Sequence, residues 1–183
     1  MQPFAEEKRK SNIAEYILYM WQMEDIVRAA AFNGEVLDRF AESYSEDPER
    51  QEIEKRWLRK LAVDLDTIKL RRQGHVSEVR EVMVELVYLH QTLINVYEDS
   101  AYIALYSEAK PYLAEYLQKA GTNFGSEVEA YLTALYGLMI LRLRKTPISA
   151  ETEEAMNSFS RIMGKLAGEY KRMKTGELRM NLN

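Results

Sequence analysis

Between Asn12 and Phe32 the chain reads NIAEYILYMWQMEDIVRAAAF, a stretch with neither proline nor glycine in which most side chains are ones that pack. Its few polar groups fall into register. Glu15, Gln22, Asp25 and Ala29 follow one another at helical steps, Ile13, Ile17, Met20, Val27 and Ala31 line the opposite side, and Tyr16, Leu18, Tyr19, Trp21 and Ile26 fill much of the arc between. A helical period with so narrow a polar row predicts one long helix covered almost all the way round. The class that follows is an all-helical globular domain.

Downstream, the breaks fall where helix chemistry expects them. Asn33-Gly34 closes the first helix, and a short amphipathic piece (Val36, Leu37, Phe40, Tyr44) runs to Asp47-Pro48. Pro48 suits a first helical turn, where its missing N–H has no partner to lose. The next helix carries Ile53, Trp57, Leu58, Leu61, Leu65 and Ile68 and is expected to end at Gly74. Ser77 is the expected N-cap of a segment striped by Val79, Val82, Met83, Leu86, His90, Leu93, Ile94 and Tyr97. A bend is expected between Glu98 and Lys110, with Pro111 early in a fresh helix that stops at Gly121. Ser126 and Glu129 make a capping box before an apolar helix to Leu143, and Ser149 caps a last helix closed by Gly176. No run alternates in the manner of a strand. The expected architecture is all-α, one domain over residues 1–183, with about six to seven mostly antiparallel helices joined by short connections. Residues 1–10 and 176–183 are expected to fray.

Composition narrows the function classes. The chain has 183 residues, 46% hydrophobic and 30% charged, with a formal charge of −4, which argues against a dedicated nucleic-acid or membrane-surface binder. It has no cysteine, which removes disulfides, thiolate metal sites and cysteine nucleophiles together. No secretion signal is read at the N-terminus, because Glu6 and Glu7 precede the basic residues and no cleavage site follows an apolar core. The longest strongly apolar run, Ala130 to Leu141, falls short of the roughly 20 residues a membrane span needs. A soluble cytoplasmic protein is expected, without membrane or nucleic-acid partner, metal or cofactor.

A few residues resist the plain packing reading. Glu24 lies on the row Ile13, Ile17, Met20, Val27, Ala31, where an apolar side chain is expected, so its carboxylate must find a partner or face a cavity. Arg28 is near enough in sequence to pair with it, making Glu24 to Arg28 a solvated corner. His90 falls within the stripe of Leu86, Leu93 and Tyr97, whereas His75, beside Gly74, reads as a turn residue. A histidine in that stripe is a ligand, a base, or a core group bonded to a tyrosine or carboxylate. Among twelve tyrosines, Tyr97, Tyr102, Tyr106, Tyr112 and Tyr116 crowd one region and are suited to a cleft, an interface or plain boundary packing. Basic clusters such as Arg71-Arg72, Arg144-Lys145 and Lys171-Arg172 precede expected helix stops, where cations complement the dipole, so a phosphate-contacting stripe is disfavoured. Ser160, Gly164 and Gly168 form a small-residue stripe that calls for close approach by another helix, preferably of the same chain, otherwise of a second subunit.

The opening NIAEYILYMWQMEDIVRA, with the length and helical pattern, resembles an uncharacterised family of bacterial proteins known only as a domain of unknown function. That resemblance implies a small cytoplasmic bacterial helical protein and supplies no catalytic residues. The residues themselves contain no H-E-x-x-H, Walker loop, G-x-S-x-G, G-x-G-x-x-G or Glu-x-x-His pair, so catalysis has little support. The first reading is therefore a non-enzymatic helical bundle acting through protein contact, as an interaction module or homodimer. Its rival is a small-molecule-binding bundle with a tyrosine-rich cleft, drawing on Glu24, His90, Tyr97, Tyr102 and Tyr106.

Overall fold

The computed structural model describes residues 3–121 and 123–177. Eight helices occur among them and no strand: α1 (Pro3–Ser11), α2 (Ile13–Ala29), α3 (Gly34–Tyr44), α4 (Pro48–Thr67), α5 (Ser77–Asn95), α6 (Ser100–Ala120), α7 (Glu127–Leu143) and α8 (Ala150–Lys174). The all-α class holds, and the expected six to seven becomes eight. None of these helices is long and apolar enough to cross a membrane. The chain divides into two compact units. Unit 1 runs to Ser11 and from Glu15 to Glu81; unit 2 takes Asn12–Ala14 and the chain from Val82 onward.

In unit 1, α2 is covered as its composition demands. Only Glu15, Asp25 and Ala29 are exposed along it, while Tyr16, Ile17, Met23 and Val27 are fully buried. The helix stops at Ala29, short of Phe32, because Ala31 and Phe32 turn left-handed (φ 50° and 62°). The Phe32 N–H bonds back to the Val27 carbonyl and the Ala31 N–H to that of Arg28, a Schellman closure. α4 ends the same way at Thr67 rather than Gly74: Lys69 takes φ 58° and the Leu70 N–H returns to the Leu65 carbonyl. Pro48 opens α4 as expected, with Asp47 as its cap, and α3 packs against α4.

The additional helix is α1, whose highly charged sequence hides the buried Ala5. Phe4 meets the edge of Tyr19 at 5.1 Å, and Lys8 reaches Glu15 at 2.9 Å. Residues 3–10, expected to fray, are thus helical and held to α2.

Unit 2 contains most of α5 together with α6, α7 and α8, the last three packed against one another. Leu86, Tyr102, Ala109, Tyr131, Phe159 and Leu166 are fully buried here. Tyr170 donates to Glu85 at 2.5 Å and Lys174 reaches the other oxygen of the same carboxylate at 2.7 Å, tying α8 to α5. The capping box opens α7: Ser126 accepts the Glu129 N–H at 3.1 Å, and the Glu129 carboxylate accepts from Gly125 rather than from Ser126 itself. Ser149 caps α8 as expected.

Two expectations change in this unit. The chain restarts at Ser100, capped by Asp99, and Pro111 lies inside α6 instead of near the start of a new helix. Pro111 and Ser107, whose carbonyl loses its i+4 donor, are both exposed, so solvent can bond the orphaned carbonyl and the interior proline is tolerated. Gly164 and Gly168 were expected to admit another helix of the same chain. Both are exposed, and a β-carbon added at either would meet no atom within 4 Å among the described residues.

Candidate functional site

A convergence of polar side chains lies in unit 2, and helical spacing creates it. Tyr102 and Tyr106 stand four apart on α6, Glu127 and Tyr131 four apart on α7, so each pair presents neighbouring groups on one helix face. α5 supplies His90. Its Nδ1 lies 2.6 Å from the Tyr102 hydroxyl and its Nε2 3.1 Å from Glu127 Oε2. Tyr106 donates to the other oxygen of Glu127, also at 3.1 Å. Both tyrosine rings meet the imidazole edge to face, at 5.7 and 5.5 Å.

These contacts fix the proton inventory. Burial lowers the His90 pKa, and the Glu127 carboxylate only partly opposes it, so the ring is neutral at pH 7. A neutral ring facing a carboxylate at Nε2 must donate there, which leaves Nδ1 to accept from Tyr102. Burial raises Tyr102 and Tyr131 well above the ordinary phenol, with the Glu127 charge adding to both. Tyr106 moves in the same direction for the same reasons. The cluster therefore holds a neutral imidazole, protonated phenols and one carboxylate, whose side chain is 34% exposed. Each Glu127 oxygen keeps a further lone pair. Tyr131, although fully buried, has a hydroxyl with no hydrogen-bond partner among the described residues.

Of the residues singled out by sequence, His90, Tyr102 and Tyr106 are thus brought together, around Glu127. Tyr97 is half-buried in the turn after α5 and is not a partner in that network. Glu127 and Tyr131 were missed because Glu127 reads as an ordinary acidic first-turn residue and Tyr131 as core. The available signal was that a histidine within an apolar stripe requires a carboxylate or phenol opposite it.

Glu24 belongs to unit 1 and has other partners. Fully buried, it accepts from the Val76 backbone N–H at 2.8 Å and lies 2.5 Å from His75 Nδ1. Trp21 stacks on His75 with centroids 4.7 Å apart. The solvated-corner reading is corrected: Arg28 pairs with Asp25 at 3.1 Å and also donates to the carbonyls of Leu70 and Gly74, while Glu24 points inward. Ser77, expected as an N-cap, is the first residue of α5 itself. The Val76 carbonyl instead receives the N–H groups of Val79 and Arg80, and the Val76 N–H is taken by Glu24 from α2. His75, which reads in sequence as a turn residue, answers the demand that a buried carboxylate creates.

Chemically, the unit 2 cluster can accept and donate hydrogen bonds at a protected surface. Among the described residues, no group of three or more His, Cys, Asp or Glu side chains is placed to hold a metal ion. A depressed histidine pKa has a definite sign in stability. The unfolded chain binds the His90 proton at 6.5 and the folded one only at lower pH, so stability should fall as pH drops from 6.5 toward the folded value. Urea melts across this range should lose that slope in His90→Gln; an unchanged slope contradicts the assignment.

The model of a domain of unknown function, DUF4924, matches residues 3–177. No curated protein and no solved structure matches the chain. The chain belongs to the DUF4924 family, whose function is unknown.

Proposed function

We propose that this protein is a small-molecule-binding helical bundle, its helices mostly antiparallel, whose site is the cluster of His90, Tyr102, Tyr106, Glu127 and Tyr131. The carrying observation is the Tyr131 hydroxyl, fully buried and without a hydrogen-bond partner among the described residues, in a region where the Glu127 charge is felt. An unsatisfied buried hydroxyl costs about 1–3 kcal/mol, a cost that a ligand acceptor group would offset. The ligand that fits is small and polar, with one acceptor for Tyr131 and one donor for the spare lone pairs of Glu127. The rings of Phe159, Tyr116 and Phe124, linked in sequence to Tyr131 at 5.0, 6.3 and 5.8 Å, supply an apolar wall. In this reading His90 and Tyr102 position the carboxylate and do no chemistry on the ligand. A crystal structure of the protein as purified should show a molecule bridging Tyr131 Oη and Glu127, with Tyr131→Phe and Glu127→Gln each losing it. Water alone at Tyr131, or retention by both variants, contradicts the proposal.

A second reading, self-association through α8, is supported by the exposed glycines. Each interior helical glycine costs about 1 kcal/mol relative to alanine, and among the described residues nothing lies within 4 Å of a β-carbon placed at Gly164 or Gly168 to compensate. A second copy packed glycine to glycine about a two-fold axis would supply it. Light scattering should then give a dimer that Gly164→Leu converts to monomer; a wild-type monomer at high concentration rules this reading out.

A further inference from the structure

Unit 1 contains a cavity of about 400 Å³, apart from the cluster in unit 2 and independent of its reading. That volume falls within the roughly 300–1,000 Å³ of small-molecule sites. Met20, Leu61 and Val76, all buried, form apolar wall, and Trp57 stands beside them. The indole is held by Tyr19, stacked on it at 6.0 Å and 13°. Lys60, Asp64 and Glu78 supply the charges. The wall at Val76 is fixed from behind, since the buried Glu24 carboxylate holds its N–H and the ring of His75.

The charge inventory selects the ligand. Lys60 bonds to Asp64 at 2.5 Å and feels the Glu78 charge through space without a direct bridge to it, so two carboxylates share one ammonium. The lining therefore carries one uncompensated negative charge. α5 begins at Ser77, so an anion could be drawn to the helix N-terminus. That end is equivalent to roughly half an elementary charge, and the full charge of Glu78 in the first turn outweighs it. An apolar wall with an indole and a surplus carboxylate suits the opposite sign, because an aromatic face also attracts cations.

We propose that this cavity binds a small organic cation, an amine whose apolar body lies against Met20, Trp57 and Leu61 and whose ammonium group faces Glu78. The binding is non-covalent and leaves the Lys60–Asp64 pair intact.

Three probes with one apolar body and different heads test this on the full chain: 2-phenylethylammonium, 2-phenylethanol and 3-phenylpropanoate. At pH 7 and low salt, NMR titration should show saturable shifts of the Trp57 indole N–H and the Ser77 and Glu78 amides with the ammonium probe. Its affinity should exceed that of the other two by about tenfold, and Glu78→Gln should remove most of that preference. Leu61→Trp should abolish binding, with circular dichroism confirming that both variants remain folded. The absence of saturable shifts with the ammonium probe overturns the proposal, as does equal binding of all three. Tighter binding of the propanoate would make this an anion site at the helix end. If Glu127→Gln rather than Glu78→Gln abolishes binding, the amine belongs to the cluster in unit 2 and the inference falls.

Discussion

A carboxylate with no exposure to solvent must be held by donors, and in unit 1 that carboxylate is Glu24. Unpaired, it would cost several kcal/mol, more than any single apolar contact nearby could return. It takes the Val76 N–H and the His75 ring together, and in doing so settles where the chain leaves its loop and α5 begins. Glu24 performs from another helix part of what a capping box does locally, since in that motif an acidic side chain accepts the cap residue's own N–H. The wall of the unit 1 cavity at Val76 follows from the same bond, and Trp21, stacked on His75, limits the ways the imidazole can turn.

In unit 2 the corresponding problem is a buried histidine, and the solution has a different electrical character. His90 stays neutral, donates to one carboxylate and accepts from one phenol, so the only formal charge lies at Glu127, where solvent still reaches. Within this network the buried groups are held by directional hydrogen bonds, while the buried Glu169 carboxylate elsewhere in the unit is paired with Lys165 and Arg172. Such a network constrains side-chain orientation more than it adds stability, because a net hydrogen bond contributes only about 1 kcal/mol. A buried donor that the network does not use, Tyr131, is consequently the informative residue.

Much of the helical pattern could be read from the sequence because periodicity and local caps are local signals. The cover of α2, the Asp47-Pro48 start, the Ser126 and Ser149 caps and the place of His90 in a buried stripe are examples. Helix ends were less legible where the chain closes a Schellman turn on Ala31 or Lys69, since those residues carry none of glycine's conformational signature. Gly74, the conspicuous glycine, does adopt φ 94° but lies in the loop beyond the true end of α4. α1 was concealed for another reason. A helix that buries little more than Ala5 has no apolar stripe to detect. Tyr102, 12 residues from His90, could be named as a candidate beside it, but His75 and Glu127 lie 51 and 37 residues from Glu24 and His90, so the need for them could be inferred and their identity could not.

The family assignment covers nearly all of the described chain and brings no function with it, so the case for the two proposed sites rests on their own polar groups. The dependence of unit 1 on the Glu24 carboxylate can be read at one amide. Val76 precedes the first residue of α5, a position whose N–H would ordinarily exchange as fast as a loop. Native-state hydrogen exchange should find it protected to the level of the buried α2 amides of Met23 and Val27. Exchange at the rate of the neighbouring Gln73 amide would contradict the account.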